Sequence, residues 1–279
     1  MNQRSVPQRR GRSVVRQREI RIMELLDERG EVRVDELAEM LDVSTVTVRK
    51  DLERLEAGGQ LVRTRGGAVG ATFREGEFHK RLRVDVASKQ AVATLAAQLV
   101  SDGDVVAFDT SSTAYFVARE VVDRQDLVVV TPSLQIATLF LSRSTARIIM
   151  PGGIVRRESS GLVGASPDQL TGLGRITKGF FGITGLSPER GLLEFAPEES
   201  ITKRMLVDAC AEVHAVFASD KAAGFGFHAF CPPEAITSLV TDDRLDPDVA
   251  AMWQARGVEV RLALFLGMAS ALAAEVPTE

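Results

Sequence analysis

Two groups of residues in this sequence have types and spacings suited to chemistry. The first lies between Ser44 and Gly67. Thr45 and Arg49 stand four apart, and Thr47, Lys50 and Arg54 follow at steps of three and four, so each set shares one line along a helix. Hydroxyls and cations in such lines suit DNA: Arg grips guanine O6 and N7 together, and Ser or Thr meets base edges. Ser44 is placed to cap that helix. Downstream, Arg63 and Arg65 flank Gly66-Gly67, where a backbone without side chains is able to approach a phosphate or a minor groove closely.

The second group recurs from residue 109 to residue 221. Asp109-Thr110-Ser111-Ser112-Thr113, Thr131-Pro132-Ser133, Pro151-Gly152-Gly153 and Gly182-Ile183-Thr184-Gly185 each follow a short apolar run. Strand ends that open helices offer unbonded N–H groups and the helix dipole to an anion. Ser111, Ser112, Thr113, Thr131 and Ser133 add hydroxyls, while Gly152, Gly153 and Gly182 permit close approach. Asp109 would accept from a sugar hydroxyl, and Lys203 and Asp220-Lys221 would supply charge. The chemistry is that of a phosphorylated polyol site.

The elements that must position these residues follow from periodicity. Residues 1–15 have no period and read as a disordered basic arm. Ile22, Leu25 and Leu26 recur at helical spacing, predicting a helix over 16–29. A second helix begins at Val34 with Asp35 as cap, and a third runs from Ser44 to Ala57 with Val48, Leu52 and Leu55 as its inner stripe. Gly58-Gly59 ends it, and residues 60–69 read as a small hairpin. Residues 16–70 are thus expected to form a winged helix-turn-helix, 71–86 a linker, 87–266 a second domain and 267–279 a tail.

In the second domain, helical segments at about 88–100, 112–122, 133–142, 198–211 and 247–256 alternate with short β-branched runs. Those runs are Val105–Phe108, Leu127–Val130, Arg147–Met150, Gly179–Phe181, Val213–Ala218, Ser238–Val240 and Val258–Leu262. Alternation of this kind predicts an α/β fold with a parallel sheet covered on both faces.

Composition narrows the function classes. Of the 279 residues, 45% are hydrophobic and 26% charged, as in ordinary globular chains. No apolar run reaches the roughly 18 residues that span a bilayer, and the basic N-terminus has no apolar core of a secretory signal, so a cytoplasmic address is expected. Cys210 and Cys231 have no nearby partner, and His79, His214 and His228 lack metal-ligand spacing. No metal and no cofactor are expected. The net charge of −4 is uneven: residues 1–85 hold 18 Lys+Arg against 15 Asp+Glu, and the first 18 residues carry six arginines and no acid. A basic leading part on an acidic body suits a polyanionic partner for the N-terminal domain.

The literal residues carry a resemblance. V-S-T-V-T-V-R-K-D-L-E-R-L-E-A-G-G-Q-L-V-R-T-R-G-G-A at Val43–Ala68 closely resembles the DeoR family of bacterial transcriptional regulators. In order, D-x-x-S/T-T, V-T-x-S, P-G-G, F-x-G-x-x-G, E-x-x-x-K-R, and a late D-K then T-D resemble that family's effector domain, related in fold to ribose-5-phosphate isomerase. Departures are Arg65 where the family often has His, Ser111 for Gly, Pro132 for Asn, Thr177 for Asp, and an Asp220-Lys221 pair compressed by a residue. The resemblance covers residues 16–262 and implies groove contacts from Ser44–Lys50.

The resulting expectation is a DNA-binding regulator, a repressor of a sugar or polyol catabolism operon, acting on a double-stranded operator as a homo-oligomer and modulated by a phosphorylated sugar. The alternative is an isomerase-like enzyme with an attached DNA-binding head. Against it, the loop after Phe181 reads Gly-Ile-Thr-Gly-Leu and offers no carboxylate as general base.

Overall fold

Residues 18–26 form the first helix, α1, of an N-terminal unit that the computed structural model separates at Gly76 from a second unit beginning at Glu77. The structure describes residues 18–26, 29–57, 61–70, 78–170, 175–224 and 226–265. The expected arm at 1–15 and tail at 267–279 lie outside the described residues, as does 71–77 of the expected linker.

After α1 come β1 (Glu31–Arg33), α2 (Val34–Met40), α3 (Thr45–Ala57), β2 (Leu61–Arg63) and β3 (Gly67–Gly70). Ile22, Leu25 and Leu26 of α1, Leu37 of α2, and Val48, Leu52 and Leu55 of α3 bury their side chains together with Leu61 and Ala68. The expected hairpin is present, with a third strand added: β3 pairs antiparallel with both β2 and β1. In β1 only Val32 is buried, so the sequence had no alternation to reveal it. Two local expectations are corrected. The N-cap position of α2 is Arg33, without a side-chain cap bond, and Asp35 sits in the first turn, where its charge still suits the helix dipole. A Cβ on Gly67 would lie 1.8 Å from the Val32 carbonyl oxygen. Gly67 is therefore needed for β1 to cross β3, rather than for approach to DNA.

The second unit begins with α4 (Phe78–Arg81), α5 (Val86–Ala97), β4 (Val105–Phe108), α6 (Ser112–Glu120), β5 (Val128–Val130), α7 (Leu134–Arg143) and β6 (Arg147–Ile149). It continues through β7 (Ile154–Arg156), β8 (Gly161–Val163), β9 (Ile176–Phe181), β10 (Gly185–Ser187), β11 (Gly191–Glu194) and α8 (Pro197–Ala209). The last elements are β12 (Cys210–Val216), β13 (His228–Cys231), β14 (Ser238–Asp242), α9 (Pro247–Gln254) and β15 (Glu259–Ala263). Seven strands pair in the order β15-β14-β12-β9-β4-β5-β6, all parallel.

Alternate strand residues go to opposite faces. Val106, Phe108, Phe180, Val216 and Val240 pack with Val92 and Ala93 of α5, Val117 of α6 and Phe140 of α7. Ala107, Phe181, Ala215 and Leu239 pack with Leu206 of α8 and Trp253 of α9. Burial on both faces explains why these strands read as continuous apolar runs.

From β4 the chain winds one way to β5 and β6; from β9 it winds the other way, through β12 and β14 to β15. The switch point lies between β4 and β9, where ligand crevices form at strand C-termini in such sheets.

Two additions were unassigned in the sequence: the antiparallel hairpin β7–β8 and the small sheet β10-β11-β13. Their three- and four-residue strands are too short to set up a period. The expected linker is also corrected, since its second half is ordered into the second unit. Phe78 is fully buried, its N–H donates to Glu158 O at 2.9 Å, and its ring meets Tyr115 edge-on at 5.7 Å. Among the described residues no helix is long and apolar enough to cross a membrane.

Candidate functional site

In the N-terminal unit the inner stripe of α3 fixes which side remains outside. Ser44 accepts from the Thr47 N–H at 3.2 Å and shares a hydroxyl bond of 2.9 Å with Thr47 Oγ1, so these two residues set the start of the helix. Thr45 is half-buried beside them, while Arg49 and Lys50 are exposed and form no ion pair among the described residues. Arg65 and Gly66 are exposed at the turn between β2 and β3.

Arg54 and Arg63, unlike Arg49 and Lys50, are engaged by carboxylates of the head. The Asp51 carboxylate is completely buried and is clamped by Arg18 and by Arg54, which also reaches Glu19 Oε1 at 2.9 Å. Arg63 Nη1 lies 3.2 Å from Glu53, and its N–H donates to Glu56 Oε1 at 3.0 Å. Both arginines tie elements of the head together, because acids on α1 and α3 face them.

In the second unit the strand ends predicted from sequence converge on one edge. At the switch point Asp109 Oδ1 accepts from Ser111 N–H at 2.9 Å and Oδ2 from Gly182 N–H at 2.8 Å. A Cβ on Gly182 would stand 2.3 Å from Ser111 Cβ, so β4 and β9 meet there only because residue 182 lacks a side chain. Ser111 Oγ caps α6 through Ala114 N–H at 3.1 Å. Ser133 Oγ caps α7 through Ile136 N–H at 3.3 Å, and Thr131 Oγ1 accepts from Ser133 N–H at 3.1 Å. Each of these hydroxyl oxygens accepts from a turn amide, which leaves its O–H to donate. With Ala114, Leu134 and Ile136 N–H already bonded to Ser111 Oγ, Ser160 O and Ser133 Oγ, the first-turn amides that remain for an anion are those of Ser112 and Thr113 on α6 and Gln135 on α7, which no intrahelical carbonyl uses.

Lys203 lies in the middle of α8 and is 5% exposed. Its Nζ donates to Gly182 O at 2.9 Å and Glu194 Oε2 at 2.5 Å and stands 3.0 Å from Asp109 Oδ2. Burial disfavours the ammonium, but Asp109 and Glu194 outweigh it and hold its pKa above the ordinary lysine value. Burial likewise pushes Glu194 up, and the Lys203 charge pulls it below the usual carboxylate range. The charge of Lys203 is consumed inside the protein, which corrects its expected role as a partner for phosphate.

Around this cluster, Thr110 Oγ1 donates to Glu199 Oε2 at 2.7 Å, and Arg156 of β7 reaches Glu199 Oε1 at 3.5 Å. Gly161 of β8 packs so closely on Thr110 that a Cβ there would lie 2.3 Å from Thr110 Cγ2, so the β7–β8 hairpin covers the crevice. Gly152 and Gly153, with φ of 76° and 116°, turn the chain into that hairpin; a Cβ on Gly153 would lie 2.3 Å from Val163 O. Both positions are thereby required by this turn.

Asp220 and Lys221 sit apart from the buried cluster, on a single 3-10 turn (Ser219–Ala223) after β12. Lys221 is 46% exposed and 3.6 Å from Asp220. Beside them opens a cavity of about 440 Å³ lined by Asp85, Ser219, Asp220, Arg244 and Asp246. Two of the lining residues are held by Asp242, which accepts from Ser219 N–H at 2.9 Å and Arg244 Nε at 2.8 Å as well as from Ser88 Oγ at 2.6 Å. Burial opposes its charge, yet these donors hold the Asp242 carboxyl far below the usual range.

Glu194, Glu199, Arg156 and Asp242 were not among the predicted site residues. Glu199-x-x-x-Lys203 and Thr241-Asp242 had a signal only through the family resemblance; Arg156 had none. Among the described residues, no group of three or more His, Cys, Asp or Glu is placed to hold a metal.

Comparison with known proteins agrees for both units. Residues 18–72 match the DeoR-like helix-turn-helix domain and residues 84–243 the DeoR C terminal sensor domain. The chain is 30% identical over 249 residues to the HTH-type transcriptional regulator GolR of Listeria innocua, covering 88% of this chain and 98% of that one. It is 27% identical over 243 residues to the glycerol-3-phosphate regulon repressor of Escherichia coli, covering 82% and 96%. Among solved structures it is similar to ribose 5-phosphate isomerase A from Methanocaldococcus jannaschii, at 16% identity and a TM-score of 0.37 over 48% of this chain and 53% of that one.

Proposed function

The chain belongs to the DeoR family of transcriptional regulators, and from that premise we propose that it represses an operon for sugar or polyol breakdown in the cytoplasm and responds to a phosphorylated sugar. The observation that carries this reading is the outward side of α3. Arg49 and Lys50 stand exposed and without ion pairs among the described residues, on a helix whose inner side is apolar. Such a helix fits the major groove, with Ser44, Thr45, Thr47, Arg49 and Lys50 toward it and Arg65 and Gly66 at the turn beside it.

The ligand reading follows from the switch-point edge. Asp109 and Glu194, neutralised in part by Lys203, are acceptors for hydroxyls, and the N-termini of α6 and α7 with Lys221 suit a phosphate. The Escherichia coli relative is named for a glycerol-3-phosphate regulon, a phosphorylated polyol. Binding would be transmitted through α4, which follows the connection to the head. Arg81 donates to Thr110 O at 3.4 Å and Phe78 N–H to Glu158 O, so both sides of the crevice hold it. A ligand that prefers one arrangement of that edge shifts the population of α4 positions. In an oligomer this alters the spacing of two heads that must match half-sites about 34 Å apart.

A binding role is favoured over catalysis because Lys203 depresses Glu194 and so weakens it as a base at neutral pH. Fluorescence anisotropy with DNA from upstream of the gene, against a scrambled duplex at two salt concentrations, tests the reading. Sequence preference with a steep loss in salt is expected. Equal weak binding to both duplexes, together with turnover of a pentose or hexose phosphate, would favour the isomerase-like enzyme.

A further inference from the structure

Val46 is the one α3 side chain in the outward set that is large, apolar and well exposed, at 57%. It precedes Arg49 by three residues and Lys50 by four, so the three share one patch of the helix surface. Folding gains nothing from an exposed valine, and its β-branched side chain has a nearly fixed rotamer in a helix. The apolar stripe that holds α3 in the head is made by Val48, Leu52 and Leu55, and Val46 lies outside it.

Resting on the DNA-binding reading above, we propose that Val46 is a specificity-determining residue that reads the 5-methyl group of a thymine beside the base or phosphate met by Arg49 and Lys50. The argument is one of complementary surfaces. Two cations next to the valine, without ion pairs among the described residues, select a polyanion and disfavour a second copy of the same basic face. Within the major groove of a polyanionic duplex, the thymine methyl is the apolar group that a base edge presents. The residue lies in the first turn of α3, the part of a recognition helix that meets base edges. Its methyls are stiff, so contact costs little side-chain entropy. Thr45 and Thr47 flank it but are only half-exposed, so Val46 presents the most exposed apolar surface of that turn.

The test uses the full chain and duplexes selected by it from a random library. In the preferred duplex each thymine is replaced singly by deoxyuridine, which removes the methyl and leaves every hydrogen-bonding group in place. The wild type is expected to lose about 3- to 5-fold in affinity at one thymine per half-site, the amount one buried methyl provides. Val46→Ala is expected to bind the parent duplex correspondingly less well and to be indifferent to that replacement. Val46→Thr, which retains one methyl and the side-chain shape, should keep part of the dependence.

A wild type indifferent to every replacement, or a Val46→Ala chain that still pays the same penalty, would overturn the proposal while leaving DNA binding intact. A Val46→Ala chain with altered sedimentation and unaltered thymine dependence would assign the residue to a protein contact and likewise overturn it. Selection of no duplex at all would overturn the DNA-binding reading itself, and this proposal with it.

Discussion

On α3 of the N-terminal unit, Arg49 and Lys50 stand exposed without a carboxylate partner among the described residues, whereas on α8 of the second unit Lys203 is enclosed with Asp109 and Glu194. The same contrast is repeated within α3, where Arg54 turns to the buried Asp51 and Arg49, five residues earlier, does not. A cation's job is therefore set by whether the fold brings an acid to it. Where none arrives, the charge is left for an outside polyanion; where one arrives, it becomes part of the scaffold that shapes a site.

The contrast can be broken most severely at Lys203. Lys203→Met should cost the second unit about 3–5 kcal/mol in chemical denaturation, because two buried carboxylates lose their counter-charge. A loss below about 1 kcal/mol would mean the cluster is not the enclosed pair described.

Acid should reveal the same dependence on interior charge. His214 shares a 2.8 Å bond with Ser238 and packs on Phe180 at 5.2 Å. Burial, aided by Arg261 and Lys178, pushes its pKa down to about 4 from 6.5. The unfolded chain thus accepts a proton that the native one refuses, so stability is full above pH 6.5 and falls as pH drops toward 4. The loss amounts to about 3 kcal/mol. Denaturation midpoints of His214→Asn across that window should lack this component of the slope.

In the head, Arg49→Ala should weaken operator binding by about 1–3 kcal/mol with an unchanged melting temperature. Arg54→Ala should do the opposite, lowering the melting temperature while affecting binding little. Anisotropy and thermal denaturation of the two variants side by side would show whether pairing separates their roles. The subtlest effect is expected at Lys221, where substitution by Ala should leave DNA affinity unaltered and remove the response to a sugar phosphate. A normal response in that variant would exclude Lys221 from the ligand site.

The sequence displayed some of this directly and concealed other parts. The parallel sheet was legible because Val105–Phe108 and Val128–Val130 are apolar on both faces, and α3 because Val48, Leu52 and Leu55 keep helical spacing. The β7–β8 hairpin and α4 were not, since three- or four-residue elements have no period and Phe78 is an isolated apolar residue among charges. Asp109, Ser111 and Gly182 could be nominated because strand-end chemistry is local. That Lys203 is enclosed and that Arg54 also reaches Glu19 could not, for Glu194 and Glu19 lie 9 and 35 residues away, and only the tertiary fold brings them together.

In the proposed function one unit holds DNA and the other regulates that hold through a phosphorylated ligand. Operator affinity of the full chain, measured by anisotropy against a panel of triose, pentose and hexose phosphates and their unphosphorylated forms, decides between this and the alternative. One phosphate is expected to change the Kd several-fold while its dephosphorylated counterpart does not. Affinity untouched by every phosphate, with one of them consumed as a substrate, would contradict it.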